Sequence, residues 1–268
     1  MSQNPEKNLL HTFVICAYKE SGYLEECIKS LMNQTIKSEV ILYTSTPNES
    51  INRLALKYDI IVFNGDGSGI GSDWNRALAC VNTQYATIAH QDDIYLPDYA
   101  KNIMRGFQKQ AHNVPYAIAF CNYREIRNAE VIPLNLNLHI KSLLLFPLRV
   151  FPSARWTQWF GLAFGCPICC PAVSYNMEEL HNFKFSETMR VSLDWDAWFR
   201  IYKSGGKFCY IPKTLMYHRI HDESETTNMI AENLRTIEDY EMYQKLWPKF
   251  ISKIIARFYK KSQESNKI

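Results

Sequence analysis

The sequence holds 268 residues, 47% hydrophobic and 13% aromatic, enough for one sizeable α/β domain with at most a small appendage. Its formal charge of +3 comes from the C-terminal end: residues 247–268 carry six Lys/Arg and one Glu, leaving 24 basic against 26 acidic residues elsewhere. A slightly acidic body lacks the basic face that nucleic-acid binding needs, so no nucleic-acid partner is expected.

The eight cysteines sit in apolar segments and no secretory leader precedes the first strand-like run. This pattern predicts free thiols in a reducing, cytoplasmic setting. The longest apolar stretch, near Ser142 to Pro152, is interrupted by Pro147 and Arg149. It falls short of the roughly 18 residues a spanning helix needs.

In chain order, β-branched and aromatic runs predict strands at His11 to Ala17, Glu39 to Thr44, Ile60 to Phe63, Tyr85 to His90 and Tyr116 to Cys121. Helical periods fall between the first four, at Tyr23 to Asn33, Glu49 to Tyr58 and Ser72 to Val81. Alternation of this kind implies a mostly parallel, Rossmann-like sheet flanked by helices. Ligands then bind at the carboxyl ends of strands, here Tyr18 to Glu20, Thr44 to Thr46, Asn64 to Gly71 and Gln91 to Asp93. After Cys121 the alternation loosens into a region punctuated by Pro133, Pro147, Pro152, Pro167 and Pro171, which leads to a helix at Asp194 to Lys203. Thr227 to Tyr259 is helical by period with a break at Pro248, so the expected organisation is one α/β domain over 1–226 and a helical extension over 227–268.

Three groups could carry chemistry. Asp92 and Asp93 end the fourth strand, where adjacent carboxylates repel unless a cation lies between them; a hard divalent ion resolves this, and a loop or helix cap is the alternative. Asp194 and Asp196 open an aromatic helix, where capping accounts for one of them. Tyr217 to Ser224 gathers His218, Arg219 and His221, which suits a diphosphate, a metal or a solvated loop.

Sharper motifs are absent. Gly65 to Gly71 has neither the G-x-G-x-x-G spacing nor the lysine of a P-loop, and it makes no G-x-S-x-G elbow. Cys166, Cys169 and Cys170 lack a second pair at zinc spacing and read as buried thiols.

Taken in order, these segments resemble the family 2 glycosyltransferases of the GT-A fold over about Thr12 to Ser224. Phe13 to Glu20 is similar to the family's opening strand, whose end meets the donor base, although Cys16 and Lys19 replace its Pro and Asn. Gly69 to Asn75 resembles the Gly-x-x-x-Ala-Arg-Asn segment with Trp74 in place of Arg, and Gln91 to Pro97 matches the DXD-type motif. Leu193 to Trp198 is similar to Glu-Asp-Tyr-Asp-Leu-Trp with Leu193 replacing Glu, and Arg219 to His221 resembles the Arg-x-His loop over the diphosphate. The family's Asp-Asp-Gly-Ser after the second strand is replaced by Thr44, Ser45 and Thr46, whose hydroxyls can still meet a pyrimidine edge.

The resemblance implies an inverting, Mg2+- or Mn2+-dependent transfer from a nucleotide-sugar, a UDP-sugar foremost, to a glycan or lipid-linked acceptor in cell-surface polysaccharide synthesis. By position it makes Asp194 the catalytic base, Asp93 and His221 metal ligands, and Ala17, Tyr18, Glu20, Thr44, Asp73, Asp92 and Arg219 donor-binding. The rivals are a nucleotidylyltransferase, disfavoured by the first loop Ala17 to Glu20, and a non-catalytic sugar-nucleotide-binding relative, disfavoured by the intact aspartates. Leu134 to Phe160, rich in Leu, Phe and Trp, is expected to shape the acceptor side. In the tail, Trp247, Phe250, Ile251, Ile254, Ile255 and Phe258 recur at helical spacing beside Lys249, Lys253, Arg257, Lys260 and Lys261. Residues 247–261 are therefore expected either to pack on the domain or to touch the inner face of the plasma membrane.

Overall fold

The computed structural model describes residues 9–109, 113–152, 154–221 and 229–264, with the side chains of 229–233 and 258–264 outside that description. Strands β1 (His11–Ala17), β2 (Glu39–Thr44), β3 (Ile61–Asn64) and β4 (Tyr85–His90) alternate with helices α1 (Leu24–Met32), α2 (Glu49–Lys57) and α3 (Ile70–Ala79). All four strands run parallel, in the order β3-β2-β1-β4. Alternate residues of β1 enter opposite cores: Phe13, Ile15 and Ala17 pack on one side and Val14 on the other. Burial on both faces is what a parallel strand covered by crossover helices requires. His11 belongs to this interior as a neutral imidazole between the hydroxyls of Ser38 and Thr87, its pKa pushed down to about 3 by burial.

After β4 come the short β5 (Ile94–Tyr95), α4 (Tyr99–Gln108), the long β6 (Tyr116–Arg127) and β7 (Glu130–Val131). The proline-bearing region is more regular than the sequence suggests: it forms α5 (Leu136–Val150), α6 (Arg155–Ala163) and β8 (Val173–Asn176). Asn135 starts α5 by accepting the Leu138 N–H, and the helix runs through Pro147. The bond that proline forgoes would run to the carbonyl of Leu143, a residue 70% exposed, so the cost falls on the outer side of the helix.

Helix α7 (Leu193–Lys203) leads into β9 (Lys207–Arg219). The sheet continues β4-β8-β6-β9-β5, with β8 antiparallel between β4 and β6, β9 parallel to β6, and β5 antiparallel at the edge. β9 tolerates Pro212 because the register with β6 jumps from Cys121↔Ile211 to Asn122↔Thr214, so the proline needs no ladder bond.

The expected boundary at 226/227 and Ser224 lie outside the described residues. Beyond them, Pro248 separates α8 (Met229–Leu246) from α9 (Lys249–Glu264). Met242 and Tyr243 of α8 are fully buried in the core cluster that holds Trp195 and Trp198. The apolar stripe of α9 divides: Ile255 and Ala256 pack against that core, while Phe250 and Ile254 are exposed. Among the described residues, no helix is long and apolar enough to cross a membrane.

Candidate functional site

The order β3-β2-β1-β4 reverses direction between β1 and β4, and the crevice beyond such a switch point is where open α/β sheets bind ligands. Register sets the strand ends side by side, with Ala17 opposite Thr44 and Cys16 opposite His90. The Gln91 amide ties the two loops together, its Oε1 accepting the Tyr18 N–H at 3.1 Å and its Nε2 donating to the Tyr18 carbonyl at 3.0 Å. Ala17 is buried at the end of β1, whereas the side chains of Tyr18 and Glu20 are exposed at the crevice rim.

Asp93 is 0% exposed. Its Oδ1 accepts from His218 Nδ1 at 3.0 Å and from the Arg219 N–H at 2.9 Å. Its Oδ2 is buried with no hydrogen-bond partner among the described residues. Burial lowers the His218 pKa, but the charge of Asp93 and the hydrogen bond to it outweigh this and hold it above the ordinary imidazole value. Asp92 Oδ2 bonds His221 Nε2 at 2.9 Å.

The imidazole that shares space with both aspartates is His90: one ligand atom from each of His90, Asp92 and Asp93 lies within 4.8 Å of the others. His90 Nε2 is also buried with no partner among the described residues. Burial lowers the His90 pKa against the pull of Asp93 and Asp92, which keeps a neutral nitrogen available. A neutral imidazole, two carboxylates and one unsatisfied anionic oxygen form a donor set that fits Mg2+ or Mn2+. Trp74, standing where the family has Arg, is buried and packs against His90 with ring centroids 5.3 Å apart and the planes tilted by 32°, backing this group.

Two of the polar residues expected to bind the donor are buried in this structure. Thr44 is 0% exposed and its hydroxyl accepts the Thr46 N–H at 3.0 Å, so it does not reach the crevice. The neighbouring Ser45 donates to Asp73 Oδ2 at 2.8 Å, while Asp73 Oδ1 is buried with no partner among the described residues. A Cβ on Gly67 would lie 2.7 Å from the Ser45 Cβ, so the loop can close on this pair only with glycine there. Arg219, expected over a diphosphate, is also buried: Nε donates to the Asp92 carbonyl at 2.8 Å, Nη2 to Glu26, and the guanidinium stacks on Tyr23. Through these bonds it braces the aspartate loop.

The two acids of α7 play different parts. Asp196 is a structural group, paired with Arg200 at 2.6 Å and with Lys245 of α8 at 2.8 Å. Asp194 accepts the Trp195 N–H at 2.7 Å and faces the Cys166 thiol at 3.6 Å. Burial raises its pKa above the usual carboxylate value. Its charge reaches His90, which brings it into the neighbourhood of the His90–Asp92–Asp93 group. Burial holds the Cys169 thiol well above its ordinary pKa, with Lys141 opposing and both Asp93 and Asp194 reinforcing. Lys141, from α5, donates to the Tyr123 hydroxyl at 2.8 Å and also acts on Asp194.

The loop into α7 is held from α8: Glu238 accepts the N–H groups of Arg190, Val191 and Ser192 at 2.9, 2.8 and 2.8 Å. Glu238→Ala leaves three donors without that acceptor and is expected to cost about 2–4 kcal/mol in urea unfolding. Because this loop carries Asp194, turnover should fall more than donor KM rises.

Sequence reasoning missed His90, Lys141 and Glu238, and it placed His218 in a cluster without giving it a role. An imidazole directly before the Gln-Asp-Asp run at a strand's carboxyl end was the available signal for His90. The others depend on partners 18 to 48 residues away, such as Lys141 with Tyr123 or Glu238 with Arg190.

The family model for glycosyl transferase family 2 matches residues 12–179. An uncharacterized glycosyltransferase of Rickettsia typhi is 25% identical over 257 residues, 95% of this chain and 75% of that protein. Among solved structures, the mannosyltransferase PcManGT from Pyrobaculum calidifontis, in complex with GDP-Man and Mn2+, superposes with a TM-score of 0.64 at 14% identity. That match covers 96% of this chain and 70% of that one. S. aureus TarS 1–349 in complex with UDP-GlcNAc gives 0.61 at 13% identity, over 92% and 70% of the two chains. These likenesses establish the shared GT-A fold.

Proposed function

The chain belongs to glycosyl transferase family 2, and on that premise we propose that it transfers a sugar from a UDP-sugar to a hydroxyl of a glycan or lipid-linked acceptor, with inversion at the anomeric carbon. The observation that carries this reading is the buried, unpartnered Oδ2 of Asp93 beside His90 and Asp92 at the switch point, with Asp194 within electrostatic reach. Asp93, Asp92 and His90 would hold the divalent ion, with His218 and His221 orienting the two carboxylates. When bound, Mg2+ or Mn2+ supplies charge neutralisation for the departing diphosphate. Asp194 would take the acceptor proton, its raised pKa making it a stronger base than an ordinary carboxylate.

Ser45 and Asp73 would read the base, Asp73 Oδ1 accepting from a ring N–H in place of the family's missing aspartate. A pyrimidine such as uracil has one such N–H. PcManGT is described with GDP-Man and TarS with UDP-GlcNAc, so the base is open to direct measurement. Thermal shift of the purified protein against UDP, dTDP and GDP sugars, with and without Mn2+, tests the reading. Stabilisation by UDP-sugars only with metal supports it. Preference for GDP would overturn the base assignment, and binding without turnover on any acceptor would favour a non-catalytic relative. In the tail, the exposed Lys249, Phe250, Lys253, Ile254 and Arg257 support weak peripheral contact with an anionic membrane on the cytoplasmic side.

A further inference from the structure

Helix α5 is apolar on two opposite faces. Leu138, Leu145 and Leu148 are buried in the domain, whereas Leu136, Ile140, Leu143, Phe146 and Val150 are exposed, Leu136 at 71%. At helical spacing Leu136, Ile140, Leu143 and Val150 fall in one stripe about 80° wide with Phe146 at its border. One exposed leucine is ordinary; five large apolar side chains on one face are an interaction surface.

The surface continues past the end of α5. Phe151 and Trp156 are exposed with their rings 6.0 Å apart. Along α6 the aromatics lead to the start of α9: Trp247 meets Trp159 at 4.9 Å and Phe164 at 5.5 Å, and its indole N–H donates to the Ala163 carbonyl at 2.7 Å. Phe250, three residues on, is 74% exposed.

Charge identifies what this surface fits. From Val131 to Met177 the chain has no Asp or Glu, and Arg149 and Arg155 are exposed there. Helix α9 exposes Lys249, Lys253 and Arg257, and its one acid is Glu264 at the far end. Large aliphatic and aromatic groups framed by cations match the interfacial zone of an anionic bilayer, where rings sit at headgroup level. A second copy docked on the same face would set these cations against themselves.

The inner side of α5 gives the contact a purpose. Lys141, from that helix, is held on Tyr123 and its charge reaches Asp194 and His218. The helix that would lie on lipid is thus also a wall of the reaction centre, about 10 Å thick. We infer that the α5–α6 hairpin and the start of α9 form a single membrane-docking surface, which holds the centre at the bilayer interface to meet acceptors anchored in lipid. The bilayer contact stands independently; the delivery of acceptor rests on the glycosyl-transfer reading.

Flotation of the full chain with phosphatidylcholine vesicles, with and without phosphatidylglycerol, tests this. Wild type should float with the anionic vesicles and be released by salt. Leu143→Glu with Phe146→Glu, and separately Lys249→Glu with Lys253→Glu, should each lower partition at least about tenfold. All of these residues are exposed, so circular dichroism and UDP binding with Mn2+ should match wild type in both variants. Absence of flotation at low salt overturns the inference. Undiminished flotation of the Leu143/Phe146 variant removes the hairpin from it, and a wild-type dimer by light scattering that this variant dissolves assigns the face to a second copy instead. Flotation intact but no nucleotide binding by wild type would strike the transfer reading and leave the surface standing.

Discussion

Asp194→Asn is expected to lower turnover by about two to four orders of magnitude while leaving donor affinity and fold in place. The amide fills the same volume and can still accept the Trp195 N–H, but it cannot take a proton. Burial is the leading cause of the raised Asp194 pKa, so ionising this group costs the folded state something at neutral pH. The sign follows from linkage: a carboxylate whose folded pKa exceeds its unfolded value loses stability as pH rises from the unfolded towards the folded pKa. Asp194→Asn removes that loss, and thermal unfolding at neutral pH should show stability equal to or above wild type. The rate of the wild-type enzyme should fall as pH drops through a value above the ordinary carboxylate range, because the base is then protonated. Turnover of the Asn variant within a few-fold of wild type would reassign Asp194 to a structural role at the start of α7.

Chelation of divalent ions, or Asp93→Asn, is expected to lower nucleoside diphosphate affinity at least about a hundredfold. Asp92, Asp93 and a diphosphate would otherwise crowd three or more negative charges at one strand end. The variant separates the ligand role from the structural one. An Asn at position 93 can keep an oxygen towards His218 Nδ1 and the Arg219 N–H, which are the bonds that hold the end of β9. What it loses is the anionic oxygen that is now buried without a partner. The fold should therefore survive, with urea midpoints close to wild type, while calorimetry shows Mn2+-dependent UDP binding collapse. Binding that persists in chelator would sink the metal assignment, and unfolding of the Asn variant would show that the charge of Asp93 serves mainly to hold β9.

What the sequence determined by itself is local. A seven-residue apolar run such as His11 to Ala17, rich in β-branched and aromatic residues, reads as a strand, and the helical periods between the first four strands leave a parallel sheet as the arrangement that covers them. Adjacent aspartates at the end of β4 are legible because like charges at a strand end demand a partner. Asp194 was singled out by the resemblance of Leu193 to Trp198 to the family's helix start, whereas capping alone could not tell it from Asp196. Tertiary structure made that distinction, giving Asp196 to Arg200 and Lys245 and leaving Asp194 beside the site. It also decided that Thr44 turns inward while Ser45 meets Asp73, and that Arg219 bonds Glu26 and the Asp92 carbonyl. The four-residue β8 is too short to show a period, and its antiparallel seat rests on pairings with β4 about 90 residues away and with β6 about 55 residues away. α5 hid behind Pro147, a local helix breaker whose cost is small on an exposed face. Periodicity and like-charge repulsion act between neighbours in the chain and can be read there. Which hydroxyl, imidazole or guanidinium is left over for a ligand depends on partners supplied by distant segments, and only the packed molecule assigns them.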